Sequence, residues 1–157
     1  MDGSNRHGVR IAGVGDLDAA GRLLHEFNVE FAEPTPAPSS LADRLRLLLK
    51  DGDTLVLLAG AGPEGLAVLR FRRSIWSTGH ECYLAELFVT PPARGRGIGR
   101  ALMDAAMAEA RLRGADTMSI EVDEPDTAAR ALYESQGFSN RSGGPDGPLM
   151  FVYERDL

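Results

Sequence analysis

After the apolar run Tyr83-Leu84-Ala85-Glu86-Leu87-Phe88-Val89, the chain passes through Thr90-Pro91-Pro92-Ala93-Arg94-Gly95-Arg96-Gly97-Ile98-Gly99-Arg100 into a segment with helical periodicity. No other passage narrows the choice of fold as far. Three closely spaced glycines between a strand and a helix let the backbone come close to a ligand. The first turn of a helix has amides without intrahelical partners, and its dipole favours negative charge. Arg94, Arg96 and Arg100 add positive charge beside them. The passage therefore predicts a pyrophosphate site on a strand–loop–helix unit. A P-loop is ruled out because no Gly-Lys pair opens the helix. A dinucleotide fingerprint fails because Leu102 stands where its last glycine belongs.

The remaining patterning supplies the fold around this unit. Val9-Arg10-Ile11-Ala12-Gly13-Val14 alternates and predicts a first strand. Asp16 is placed to cap a helix running to about Asn28, with Leu17, Ala20, Leu24 and Phe27 as its apolar stripe. Pro34-Thr35-Pro36-Ala37-Pro38 reads as a loop. A second helix starts at Ser39 or Ser40 and turns Leu41, Leu45, Leu48 and Leu49 inward. Strands are expected over 54–59, 66–72 and 83–89. The helix after the glycines should bury Ile98, Ala101, Leu102, Ala105, Ala108 and Leu112, and Gly114 should stop it. A strand over 117–122, a helix from Asp126 to Gly137, and last strands at Phe138 and over 149–153 complete the order. The strand–helix–strand unit makes its two strands parallel with a right-handed crossover. The expected fold is thus α/β: a mixed, largely antiparallel sheet with a central parallel pair and helices on both faces. It forms one domain over residues 1–157, with residues 1–8 flexible.

Two linked motifs carry a family resemblance. Arg94-x-x-Gly97-x-Gly99 resembles the acyl-CoA motif of the GNAT N-acetyltransferase superfamily. Asp126-x-x-Ala129-x-x-Leu132-Tyr133-Glu134-x-x-Gly137-Phe138 is similar to that family's second motif, in which Asn often stands where this chain has Asp126. The strong match covers about a third of the chain. The resemblance implies acetyl-CoA as cosubstrate, with the amides of Arg94, Gly95, Arg96, Gly97, Ile98, Gly99 and Arg100 on its pyrophosphate. The backbone of Leu87, Phe88 and Val89 would pair with the pantetheine arm like an added strand. Asp126 and Ala129 would lie beside the cofactor, although Asp126 is an excellent N-cap and reads first as one. Tyr133 would protonate the departing thiolate. The acceptor amine would enter on the side of the first two helices.

The chemistry adds one candidate. Transfer from a thioester to an amine needs a base, donors for the developing oxyanion and an acid for the thiolate. Glu86 interrupts the apolar run and is the candidate base, directly or through water, since burial raises a carboxylate pKa. No activated Ser or Cys stands out, so direct attack by the amine is expected. Cys82, the only cysteine, reads as a buried small apolar residue. His7, His25 and His80 show no metal-ligand spacing, and no metal is expected.

With 17 basic against 23 acidic residues the net charge is −6. Nucleic acid is therefore not an expected partner, which weighs against an enzyme acting on aminoacyl-tRNA. No apolar stretch suggests a membrane span or a signal peptide, so the cytoplasm is the expected location. A small-molecule or peptide amine is the expected acceptor, and family habit is compatible with a homodimer. The rival reading is a non-catalytic acetyl-CoA-binding regulatory module of the same fold.

Overall fold

The computed structural model describes residues 7–157. The chain divides into two compact units, Met1–Ile120 and Glu121–Leu157. The expectation of a flexible start falls on residues 1–8, of which 1–6 lie outside the described residues. His7 is described, and its carbonyl accepts a hydrogen bond from the Gly60 amide at 2.9 Å.

The first unit runs β1 (Arg10–Ile11), α1 (Leu17–Glu30), α2 (Pro38–Asp51), β2 (Thr54–Ala59), β3 (Gly65–Arg73), β4 (His80–Val89), α3 (Ile98–Leu112) and β5 (Ala115–Ile120). These strands form one sheet in chain order, β1-β2-β3-β4-β5. The first four pair antiparallel, and β4 pairs with β5 in parallel. The fold class is as expected, a mixed, largely antiparallel sheet with one parallel pair.

Alternation along the strands divides the core between two faces. Val56, Leu58, Leu66, Val68 and Phe88 join Leu17, Ala20, Leu23, Ala42 and Leu45 in one cluster under α1 and α2. The complementary set faces α3. A Cβ built on Gly65 would lie 2.9 Å from Ile98 Cγ2 and 3.0 Å from Leu102 Cδ1. Every residue of β2 is buried, as expected of a strand covered on both sides.

Local chemistry explains several boundaries. Pro38 opens α2 instead of ending the loop before it, because a proline at the first helical position loses no needed donor and has its φ already set. Gly52 closes α2 at φ +79°, the usual left-handed stop. Asp16 precedes α1 but makes no side-chain cap to it. Its carboxylate accepts instead from Gly13 N at 2.9 Å and from Arg10 at 2.7 Å through both oxygens. The α3 stripe is rotated from the expected one: Ile98, Leu102, Met103, Ala106 and Ala110 are buried, whereas Leu112 is 79% exposed.

The α1–α2 pair depends on one glycine. A Cβ on Gly21 would lie 2.4 Å from the Pro38 carbonyl oxygen and 2.9 Å from the Ala42 amide, both rigid backbone atoms. We expect Gly21→Val to force the helices apart and destabilise the fold by about 1–3 kcal/mol or more. The drop should appear as a lower urea midpoint at unchanged m-value. A wild-type midpoint would show that the crossing can open at little cost.

The second unit holds one helix, α4 (Thr127–Ser135). The strands expected at Phe138 and over 149–153 do not form. Phe138 belongs to the end of α4, where its amide donates to the Tyr133 carbonyl at 3.0 Å beside Gly137 at φ +88°. Beyond it the hairpin reaches only an isolated bridge, Arg141 to Leu149. Ser142 N donates to Pro148 O at 2.9 Å and Met150 N to Asn140 O at 2.8 Å, and the ladder stops there. The helix cap on one arm and a glycine- and proline-rich turn between the arms leave no length for a strand. The parallel β4–β5 pair is consequently at an edge of the described sheet, not at its centre.

Candidate active site

The expected phosphate loop is built as a short 3-10 turn, Pro91–Ala93, followed by two left-handed glycines, Gly95 at φ +75° and Gly97 at φ +85°. Gly97 is the N-cap of α3 and has no side chain to accept from the helix's first amides. An L-residue there would strain the backbone by roughly 1–2 kcal/mol. The result is a helix N-terminus without a side-chain cap, with Ile98, Gly99 and Arg100 in its first turn, an arrangement suited to an anion. A Cβ on Gly97 would also sit 3.4 Å from His7 Nε2, so the His7 ring rests against this loop.

The strand leading into the loop carries a feature that alternation does not predict. Val68 pairs with Glu86, but the next β3 residue, Leu69, pairs with Leu84. Ala85 is therefore an extra residue, a β-bulge. Leu84 faces α3 together with Leu69, whereas Ala85 and Phe88 pack with the α1–α2 cluster. Glu86 shares the face of its partner Val68, on the α1–α2 side.

Beyond the bulge the ladder also changes on the other edge. The β4–β5 pairing ends at Leu84–Ile120. Leu87, Phe88 and Val89 pair with Ala67, Leu66 and Gly65 of β3. On their far edge no strand continues among the described residues of this unit, so the backbone there can take an extended ligand as a further strand.

Glu86 is half-buried, and its side chain has no hydrogen-bond or ion-pair partner among the described residues. Burial raises its pKa above the usual carboxylate value. Cys82, 1% exposed, has its thiol pushed up to about 11 by burial, against a smaller opposing effect of Arg113. It stays protonated and suits a core residue better than a nucleophile.

Two arginines of the loop meet acids that the sequence reading did not single out. Arg94 bonds Glu30 at the end of α1, and Arg96 bonds Glu64 in the β2–β3 turn. Arg100 lies in the first turn of α3. No local signal could have revealed these pairs, whose members are 64 and 32 residues apart.

In the second unit, Asp126 caps α4: its Oδ1 accepts from Ala129 N at 3.0 Å. The Ala129 amide is thereby used, and what Ala129 can offer a ligand is its methyl group. Tyr133 is 8% exposed and packs 6.3 Å from the Phe138 ring. Burial, and secondarily the Asp126 carboxylate, push its phenol up to about 12.

Comparison with known proteins agrees with this geometry. The model of the acetyltransferase (GNAT) family matches residues 21–138. The chain belongs to the GNAT acetyltransferase family. A relative named IAA acetyltransferase, from Azospirillum brasilense, is 32% identical over 145 residues, 89% of this chain and 92% of that protein. Mycothiol acetyltransferase of Beutenbergia cavernae is 41% identical over 69 residues, and the chain spans only 23% of that protein's length. Among solved structures, a protein of Arthrobacter sp. FB24 provisionally described as an acetyltransferase superposes with a TM-score of 0.87 at 41% identity, over the whole of both chains. An aminoglycoside acetyltransferase from a soil metagenome, solved with sisomicin, shares the fold at a TM-score of 0.74 and 18% identity. No helix of the described residues is long and apolar enough to cross a membrane.

Proposed function

We propose that this chain transfers an acetyl group from acetyl-CoA to a primary amine by direct attack. The observation that carries the reading is the opening of β4 from β5 just before an N-terminus of α3 that has no side-chain cap. One half suits an extended arm and the other a pyrophosphate, in the order in which the two occur in CoA. Bound there, acetyl-CoA would supply the activated acetyl thioester. The chain's own groups do the rest. Residues 87–89 align the arm, and the amides of the loop and of the first turn of α3 take the phosphates. Glu86, directly or through water, takes the amine's proton, and Tyr133 returns one to the departing thiolate.

The acceptor is left at the level of an amine. The relatives' names span mycothiol, IAA and aminoglycosides, and a fold does not choose among them. A cytoplasmic protein that acts alone or as a homodimer, with no nucleic-acid partner, fits this reading.

The test is a thermal-shift titration with acetyl-CoA against NAD and ATP. A ligand at a hundred times its Kd stabilises by about 2.7 kcal/mol, which for a domain of this size raises Tm by several degrees. We expect the shift with acetyl-CoA alone, followed by thiol release with some member of an amine panel. No shift, in folded protein, defeats the reading. A shift without thiol release across a broad panel points to the binding module instead.

A further inference from the structure

Arg94 and Arg96 stand two residues apart in one loop and are held in very different ways. The Arg94 guanidinium meets Glu30 through two parallel bonds, Nη1 to Oε1 at 2.6 Å and Nη2 to Oε2 at 2.5 Å. Its Nε donates to the Val89 carbonyl at 2.9 Å, and it lies 5.8 Å from the centre of the Phe88 ring. That ring stacks on Phe27 at 5.2 Å, and Phe27 meets Phe31 edge-on at 5.3 Å. The Glu30 carboxyl is held below its ordinary pKa chiefly by the Arg94 hydrogen bonds. Arg96 touches Glu64 through a single bond of 3.3 Å between two well-exposed side chains.

Magnitudes separate the two. A bidentate arginine–carboxylate pair is among the stronger polar contacts a protein makes, whereas a single exposed one contributes little. A phosphate oxygen can take Arg96 by displacing one long bond. To take Arg94 it must break the fork to Glu30 and the bond to Val89, and it disturbs the contact with Phe88. Phe88 is two residues from Glu86 on the same face of β4, and Phe27 and Glu30 belong to the last turn of α1. The Arg94 contacts thus join the end of β4 to the end of α1 beside the carboxylate.

We propose that the two arginines divide the work: Arg96 exchanges Glu64 for a cofactor phosphate, while Arg94 stays on Glu30 and clamps the end of α1 over the Glu86 strand. Glu30 and Arg94 are then positioning residues, and the loop's first arginine contributes its amide but not its side chain to phosphate binding. The division of the arginines rests on the acetyl-CoA reading; the clamp does not need it.

The experiment compares Arg94→Gln, Glu30→Gln, Arg96→Gln and the swapped pair Glu30→Arg/Arg94→Glu. Calorimetry measures Kd for CoA and for pantetheine, which has no pyrophosphate. Hydrogen exchange follows the amides of Phe31, Ala32 and Glu33, and carbon-13 NMR follows the titration of the Glu86 carboxyl. Arg96→Gln should weaken CoA about ten-fold and leave pantetheine within about two-fold. Arg94→Gln and Glu30→Gln should leave CoA within about three-fold, speed the three amides about ten-fold or more, and lower the Glu86 titration point as water enters. The swap should restore both readouts in part, because it rebuilds the fork but not the bond to the Val89 carbonyl or the contact with Phe88.

The direction of that titration is diagnostic. Charge removal alone would raise the Glu86 value in Arg94→Gln and lower it in Glu30→Gln, whereas loss of the clamp lowers it in both. The division of work is overturned if Arg94→Gln weakens CoA as much as Arg96→Gln while sparing pantetheine. The clamp is overturned if exchange and titration stay at wild type in both single variants. Failure of the wild-type protein to bind CoA would defeat the acetyl-CoA reading and the division with it, and the exchange and titration readouts would still decide the clamp.

Discussion

Glu86→Gln is expected to lower kcat by about 10²-fold, the lower end of what a positioned general base supplies, and to leave acetyl-CoA binding within about two-fold. The change keeps the shape of the side chain and removes only the capacity to take a proton. A base works deprotonated, and burial raises the Glu86 pKa. The wild-type rate should therefore climb as pH rises through that raised value, and the variant should lack this limb. Stability should move the other way. A group whose folded pKa is raised stabilises fully below its unfolded value, about 4.3 for glutamate, and loses that contribution as pH rises through the folded value. The half-buried carboxylate is thus a burden at neutral pH, and the glutamine variant should melt at the same temperature or higher. Such a trade of stability for activity is common at catalytic positions. A pH–rate profile with any amine that turns over, paired with a melting curve, decides it. Wild-type kcat with the limb intact would remove Glu86 from the mechanism.

Tyr133→Phe should lower kcat by about 10²-fold and barely change the Kd for acetyl-CoA. The ring stays packed against Phe138, so the loss is confined to the hydroxyl. With its phenol pushed up to about 12, Tyr133 holds its proton throughout the physiological range and is always ready to give it. Its raised pKa stabilises the folded protein below the ordinary tyrosine value of about 10, and that contribution fades as pH rises toward 12. Any fall of the wild-type rate below about pH 9 must therefore come from another group and should persist in the variant. Unchanged kcat would show that water, not Tyr133, protonates the thiolate.

Local signals in the chain were reliable where the physics is local. Gly95 and Gly97 marked a loop that a ligand can approach closely, and the strand–helix–strand order announced the parallel pair. Asp126, left open between cap and cofactor contact, makes the cap, a bond that spans three residues. What escaped the sequence depends on distant partners. Helical periodicity gave α3 a stripe ending at Leu112, yet the sheet selects Met103, Ala106 and Ala110 instead, because the composition of that helix is apolar on more than one side. The Glu30–Arg94 fork joins residues that only the fold brings together. The apolar residues 149–153 read as a strand, but a strand needs a neighbour, and the end of α4 has already used Phe138. The bulge at Ala85 leaves no mark in composition at all.

That bulge acts as a shift of frame within one strand. Ahead of it the even-numbered Cys82 and Leu84 belong to the α3 side, and behind it the even-numbered Phe88 belongs to the α1–α2 side. Strict alternation through Ala85 would turn Glu86 and Phe88 toward α3, whereas a strand that lacked Ala85 would keep every other pair of the β3–β4 ladder and leave both on the α1–α2 side. The carboxylate's surroundings are therefore written in the pairing of β4, which skips Ala85, rather than in its alternation. A β4 that kept all its residues and lost the bulge would exchange one set of neighbours for the other, and a substitution at Ala85 that keeps the bulge would not.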